Sequence, residues 1–139
     1  VISSRRALLA GWPVAIAYPA DSGRDGPAAF LWMSGGALAT SGVDRHHWRQ
    51  NGHAMHHIID PRRGGPAGAA AIATSVYAHD GAEAEVLAKL ALIAPDRLPA
   101  DAALWAFDAP GTVRVSPAMA AVLNWTDPTL TVLREGITR

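Results

Sequence analysis

Ala39-Thr40-Ser41-Gly42 and, further along, His57-Ile58-Ile59-Asp60-Pro61-Arg62-Arg63-Gly64-Gly65-Pro66 are the stretches on which the reading of this chain turns. Hydroxyls and glycine amides in the first can hydrogen-bond phosphate oxygens or a planar ring. In the second, a histidine shortly before an aspartate puts a base and a carboxylate beside one loop. The Asp-Pro-Arg-Arg-Gly-Gly-Pro run demands a turn. Taken singly, each has an ordinary explanation: residues 40–42 a strand end and turn, Arg62-Arg63 a solvated charge pair. Their order along one chain gives them weight together.

Outward from these stretches the pattern is α+β. Upstream, residues 12–18 read as a short strand closed by Pro19, followed by a Gly/Ser/Asp/Pro loop and an apolar run over 28–33. Glycines around Ser34-Gly35-Gly36 imply sharp backbone changes or close approach to a ligand. Between the two stretches, residues 43–57 are polar and rich in histidine and arginine. Downstream, 69–79 reads as a buried strand. The spacing then predicts a helix over 82–94, with Val86, Leu87, Leu90 and Ile93 on one side and Pro95 ending it. Residues 104–107 and 112–115 form a hairpin around Asp108-Ala109-Pro110-Gly111. Ser116-Pro117 caps a short helix running to about residue 123, and 129–133 is a final strand. No internal repeat or linker divides the chain, so residues 1–139 are expected to form one domain.

Composition narrows the function. Twelve basic and twelve acidic residues cancel, leaving no cationic excess to neutralise a nucleic-acid backbone. Half the residues are hydrophobic, enough for a core and too many for disorder. No uninterrupted apolar stretch approaches the ~20 residues of a membrane span. Without cysteine there is no disulfide, thiolate nucleophile or Cys-ligated zinc. Lys89 is the only lysine, against eleven arginines. The chain opens on Val1 rather than methionine, which suggests lost upstream sequence and leaves the compartment unassigned.

The two stretches resemble the FAD:protein FMN transferase (ApbE) family. That family carries A-T-S-G, then a basic-aromatic segment and a glycine, then H-I-I-D-P-R-T-G-x-P. Here Arg45 through Trp48 and Gly52 fill the interval, and Arg63 stands where threonine is usual. A helix of the form A-D-A-L-A-T-A corresponds to Ala84-Glu85-Val86-Leu87-Ala88-Lys89-Leu90. The resemblance implies a T-fold-like flavin transferase domain with a mixed or antiparallel sheet and packed helices. It covers the C-terminal part of such a domain, truncated upstream, where a G-G-D segment has no counterpart here.

Enzymes of this family bind FAD with magnesium, cleave its pyrophosphate and attach FMN through a phosphoester to a Thr or Ser of an acceptor flavoprotein, releasing AMP. Carried over by position, His57 is the base or orienter for the acceptor hydroxyl, a task suited to imidazole at neutral pH. Asp60 would orient His57 or the loop, and Arg62 would pair with phosphate or fix the loop. Thr40, Ser41 and Gly42 would line the diphosphate pocket. Glu85 stands where the family's metal-binding aspartate stands, and Lys89 where it has a threonine. A protonated lysine has three donors and no acceptor, so it cannot be a metal ligand. Lys89 would instead bring its ammonium to the FAD phosphates and take over part of the magnesium's charge.

Other readings stand beside this one. Glu85 and Lys89 have the i,i+4 spacing of an ordinary surface pair. The chain can be a catalytically inactive flavin-binding remnant. It can also be a His-rich metal-binding protein, since His53 and His57 would share one face of a helix if Gly52 allowed one. His46, His47, His53 and His56 read as solvated loop residues. The five tryptophans read as core or edge packing rather than flavin stacking, with Trp48 near enough to the motif to face the acceptor.

Overall fold

A computed structural model describes residues 11–134. In chain order it contains β1 (Trp12–Ala17), β2 (Pro27–Met33), β3 (Ala37–Gly42), β4 (His47–Gln50), β5 (His53–His56), β6 (Ile59–Asp60), β7 (Gly65–Pro66) and β8 (Ala73–Ala78). Helix α1 (Gly81–Ile93), β9 (Ala103–Ala109), β10 (Thr112–Val115), helix α2 (Pro117–Val122), β11 (Leu123–Thr126) and β12 (Thr131–Leu133) follow. Short 3-10 turns sit at Ala20–Ser22 and Pro95–Arg97.

A five-stranded sheet in the order β12-β10-β9-β8-β3 forms the centre, antiparallel except where β10 and β12 run parallel. A three-stranded sheet, β1-β2-β11, covers one face and α1 the other. Alternation along β9 builds both interfaces. Ala103, Trp105 and Phe107 point toward the small sheet with Ile16, Leu31 and Met119, while Leu104 and Ala106 point toward α1 with Ala88 and Leu92. This is the α+β architecture with a mixed sheet that the sequence leads one to expect.

Two junctions tie these layers. Thr74 is buried on β8 and donates its hydroxyl to the Ala88 carbonyl at 2.7 Å, fixing α1 on the sheet. Ser116 is buried at the start of α2, where its oxygen accepts the Met119 amide as an N-cap and the Leu104 amide at 2.9 Å. Its hydroxyl donates to the Ala102 carbonyl at 2.8 Å. Ser116→Ala therefore removes a cap and orphans a buried strand amide, at a cost of about 2 kcal/mol. Urea unfolding measures this, and a change below about 0.5 kcal/mol would mean that water replaces the hydroxyl.

The structure corrects the helix face predicted for α1. Ala84, Ala88, Ala91 and Leu92 are its buried residues, while Val86 is 63% exposed. Alanines let the helix lie close to the sheet, so the face with the smallest side chains packs and the larger ones sit at its margins. Residues 43–57 are also more ordered than their polarity suggests. Strands β4 and β5 pair as a hairpin, His47 opposite His56 and Gln50 opposite His53. Asn51 and Gly52 form its two-residue turn with φ of 50° and 80°, the left-handed pair that such a tight turn requires. So His47, His53 and His56 lie on strands, not in a loop, and no helix brings His53 and His57 together.

Two further differences concern strand limits. The predicted strand over 69–79 narrows to β8, its first residues being held irregularly by bonds such as Ile72 N–H to the Phe107 carbonyl at 2.7 Å. Strand β11 follows α2 directly and returns to pair with β2. Of the tryptophans, Trp105 is core, whereas Trp12, Trp32, Trp48 and Trp125 are exposed.

Candidate functional site

At edge strand β3 lies an open cleft of about 390 Å³. Thr40, Ser41 and Gly42 from β3, His57 and Ile58 from the segment before β6, and Glu85 and Lys89 from α1 all line it. Ala15, Ala17 and Tyr18 reach it from the small sheet, and Asp44, Arg45 and His46 from the turn after β3. Six of the eight residues singled out in the sequence therefore share one surface. A second, mostly apolar cavity of about 290 Å³ adjoins it at Pro19 and Asp44 and is walled by Val43, Ile72 and Pro110.

Local structure explains each position. Thr40 pairs with Ser75 in the β3–β8 ladder, and their hydroxyls share a 2.7 Å hydrogen bond. That bond orients Thr40 at the exposed side of the sheet edge. Ser41 points the opposite way and is buried. Gly42 is close to the next turn, where a Cβ would strike the carboxylate of Asp44. Asp44 uses that carboxylate to accept the Ala20 amide at 2.7 Å, joining the turn to the small sheet.

His57 is exposed at the cleft mouth and meets His46 edge to face, with ring centroids 5.1 Å apart. Its Nδ1 lies 3.4 Å from the His46 carbonyl. A carbonyl only accepts, so the tautomer making this long bond carries its proton on Nδ1 and leaves Nε2 free to take one. Ile58, the next residue, is buried, and its carbonyl accepts the Ala67 amide.

Asp60 and Arg62 lie outside the cleft lining and engage each other. Asp60 is buried and accepts Arg62 Nε and Nη2, each at 2.9 Å, as well as the Arg62 backbone amide. These bonds hold its carboxyl below the usual carboxylate range. Arg62 Nη2 also donates to the Ile93 carbonyl at 3.0 Å, so the loop is tied to the C-terminal end of α1. Of the two roles considered for each, fixing the loop is the one this geometry provides.

Tyr18 and Asp44 carry no site expectation from the sequence, while Arg45 falls in the basic-aromatic interval and His46 reads there as a solvated loop residue rather than a cleft residue. Tyr18 donates to Asp127 at 2.6 Å, and Arg24 Nη1 bonds both Tyr18 and Thr129. Burial, then the bond to Asp127, pushes the phenol pKa up, so its proton stays in place at neutral pH. Tyr18 is thus a wall of the cleft joined to the chain's far end. No local sequence signal marks that role. For Asp44 to His46, proximity to Gly42 was the available signal.

A divalent metal is the group these residues fit least. Glu85 is ion-paired with Lys89, and Asp44 already accepts an amide. Among the described residues no three His, Asp or Glu side chains converge to hold a metal ion, whereas magnesium prefers an oxygen-rich octahedron. The histidines of the β4–β5 hairpin form no such group either. Among the described residues, no helix is long and apolar enough to cross a membrane.

The ApbE family's sequence model matches residues 3–106. Among solved structures, the crystal structure of the ApbE protein from Thermotoga maritima aligns with a TM-score of 0.66 and 23% identity. That alignment covers 81% of this chain and 38% of the other, so the chain spans about two-fifths of its solved relative. The likeness at that identity is one of fold. No curated protein matches the chain.

Proposed function

Since the chain belongs to the ApbE family, we propose that it transfers FMN from FAD to a threonine or serine hydroxyl of an acceptor flavoprotein and releases AMP. Family membership supports a flavin-transferase type of function. One observation carries the finer reading: Thr40, Ser41 and Gly42 on β3, His57 before β6 and Lys89 on α1, three separate parts of the chain, line one cleft.

In this reaction the acceptor oxygen attacks the phosphorus on the flavin side of the pyrophosphate. A new P–O bond forms as the bridging P–O bond to AMP breaks, and AMP departs with the bridging oxygen and its electron pair. His57 Nε2 takes the hydroxyl proton. Thr40, the Gly42 backbone and the nearby cations hold the phosphate oxygens, so most of the catalysis is positioning and charge neutralisation. Asp60 and Arg62 act one step removed, as positioning residues for the loop after His57. Magnesium would screen phosphate charge in such a reaction, but among the described residues the oxygen donors at the cleft do not make a site for it.

The test is the intact mass of an acceptor domain incubated with FAD and this chain, with and without MgCl2. One FMN added to a Ser/Thr-bearing acceptor, and none to an acceptor whose hydroxyl is replaced by alanine, is the expected result. FAD bound tightly with no transfer to any acceptor would instead favour the inactive flavin-binding remnant.

A further inference from the structure

We propose that Lys89 is the phosphate-binding cation of the cleft in place of a bound divalent metal, and that Glu85 is its internal competitor. The proposal rests on the flavin-transfer reading and adds how that site holds its ligand's charge.

Helix α1 places the two side chains one turn apart on the cleft wall, where Lys89 Nζ donates to Glu85 Oε1. Their side chains are 44% and 53% exposed, so neither is locked by packing and the pair can open toward a ligand. An ammonium has three donors. With one on Glu85, two remain for phosphate oxygens beside the Thr40 hydroxyl and Arg45.

Charge arithmetic separates this arrangement from a metal site. If Glu85 ligated a dication, the carboxylate would be the anchor that brings positive charge in, and removing it would remove the charge. Here the positive charge is covalently part of α1, and the carboxylate cancels it. Replacing Glu85 by its neutral isostere then exposes a full positive charge to the ligand. The two roles predict opposite signs for one substitution.

The experiment titrates the full chain with FAD, followed by flavin fluorescence, and with inorganic pyrophosphate, followed by calorimetry. Each is done in EDTA and in MgCl2, for the parent chain, Glu85→Gln and Lys89→Met. Both substitutions fall on exposed helix positions, and circular dichroism verifies that the variants fold. The parent should bind both probes equally well in EDTA and magnesium. Glu85→Gln should tighten binding about two- to fivefold, the worth of an exposed i,i+4 pair. Lys89→Met should weaken it roughly tenfold or more, as expected for a charge-assisted hydrogen bond. Binding that requires magnesium and is lost in Glu85→Gln overturns the proposal and leaves flavin transfer standing. Pyrophosphate bound as stated without FAD sustains Lys89's role and overturns the flavin reading. Binding of neither probe under any condition overturns both.

Discussion

Replacing His57 with alanine is expected to lower the rate of FMN attachment by roughly 10²–10⁴-fold, the usual worth of a positioned general base. FAD affinity should change little. The imidazole is exposed, and among the described residues its one side-chain hydrogen bond is the long contact to the His46 carbonyl. Its removal therefore leaves the fold alone, and the loss should fall on kcat rather than on KM or stability. Single-turnover transfer, read as acceptor mass against time, measures the effect directly. A His57→Ala chain that transfers within threefold of the parent would move the base elsewhere in the cleft. His46 would be the next group to test, since its ring lies against that of His57.

How much of this was visible beforehand depends on the range over which each feature is determined. Helix α1 and the β9–β10 hairpin rest on local signals: spacing and Pro95 for the helix, and Pro110-Gly111 for the turn. Both sit close to where the sequence places them. The β4–β5 hairpin carries a strong local signal in Asn51-Gly52, yet β4 is exposed along its length, β5 is half-buried only at Met55 and His56, and neither shows apolar alternation. Polarity hid it. Strand β11 escaped for another reason: its four residues pair with β2 far away in sequence, and Asn124 and Trp125 are exposed. On α1 the spacing of the large apolar residues points to a face that includes exposed Val86. The buried stripe is instead Ala84, Ala88, Ala91 and Leu92, with Leu87, Leu90 and Ile93 at its margins, because alanines let the helix lie close to the sheet.

The candidate site divides in the same way. Residues 40–42 and 57 were found because they sit in a motif, and Glu85 and Lys89 because helical spacing and the family pattern coincide there. The meeting of all of them with Tyr18 from the small sheet is a tertiary fact with no local trace. Asp60 and Arg62 belong to the same motif, but the structure turns them toward each other and toward α1. Motif membership does not distinguish a residue that faces the ligand from one that holds the loop.

That distinction carries the second large effect. Asp60→Ala should lower kcat by roughly a hundredfold, because a displacement of about 1 Å in a positioning loop costs that much, while FAD affinity changes less than threefold. The carboxylate accepts three hydrogen bonds from Arg62, and the Asp60 carbonyl accepts the amides of Arg63 and Gly64. Without the side chain, Arg62 loses its guide to the Ile93 carbonyl, and the segment from Ile58 to Gly65 is released from α1. Asp60→Asn keeps an acceptor for the Arg62 amide but not the charge, so its activity should fall between the two. The pH dependence has a definite sign. Arg62's hydrogen bonds depress the Asp60 pKa in the folded state, so the stabilisation is complete above the unfolded value of ~3.9. It is lost as pH falls through the lower folded value. Protection of the Arg63 and Gly64 amides against exchange, relative to the unstructured rate at the same pH, should therefore fall below about pH 4 in the parent, and be low throughout in Asp60→Ala. An Asp60→Ala chain with parental kcat and protected amides would show that β6–β7 pairing alone holds the loop, and that the Asp60–Arg62 pair is incidental to positioning His57.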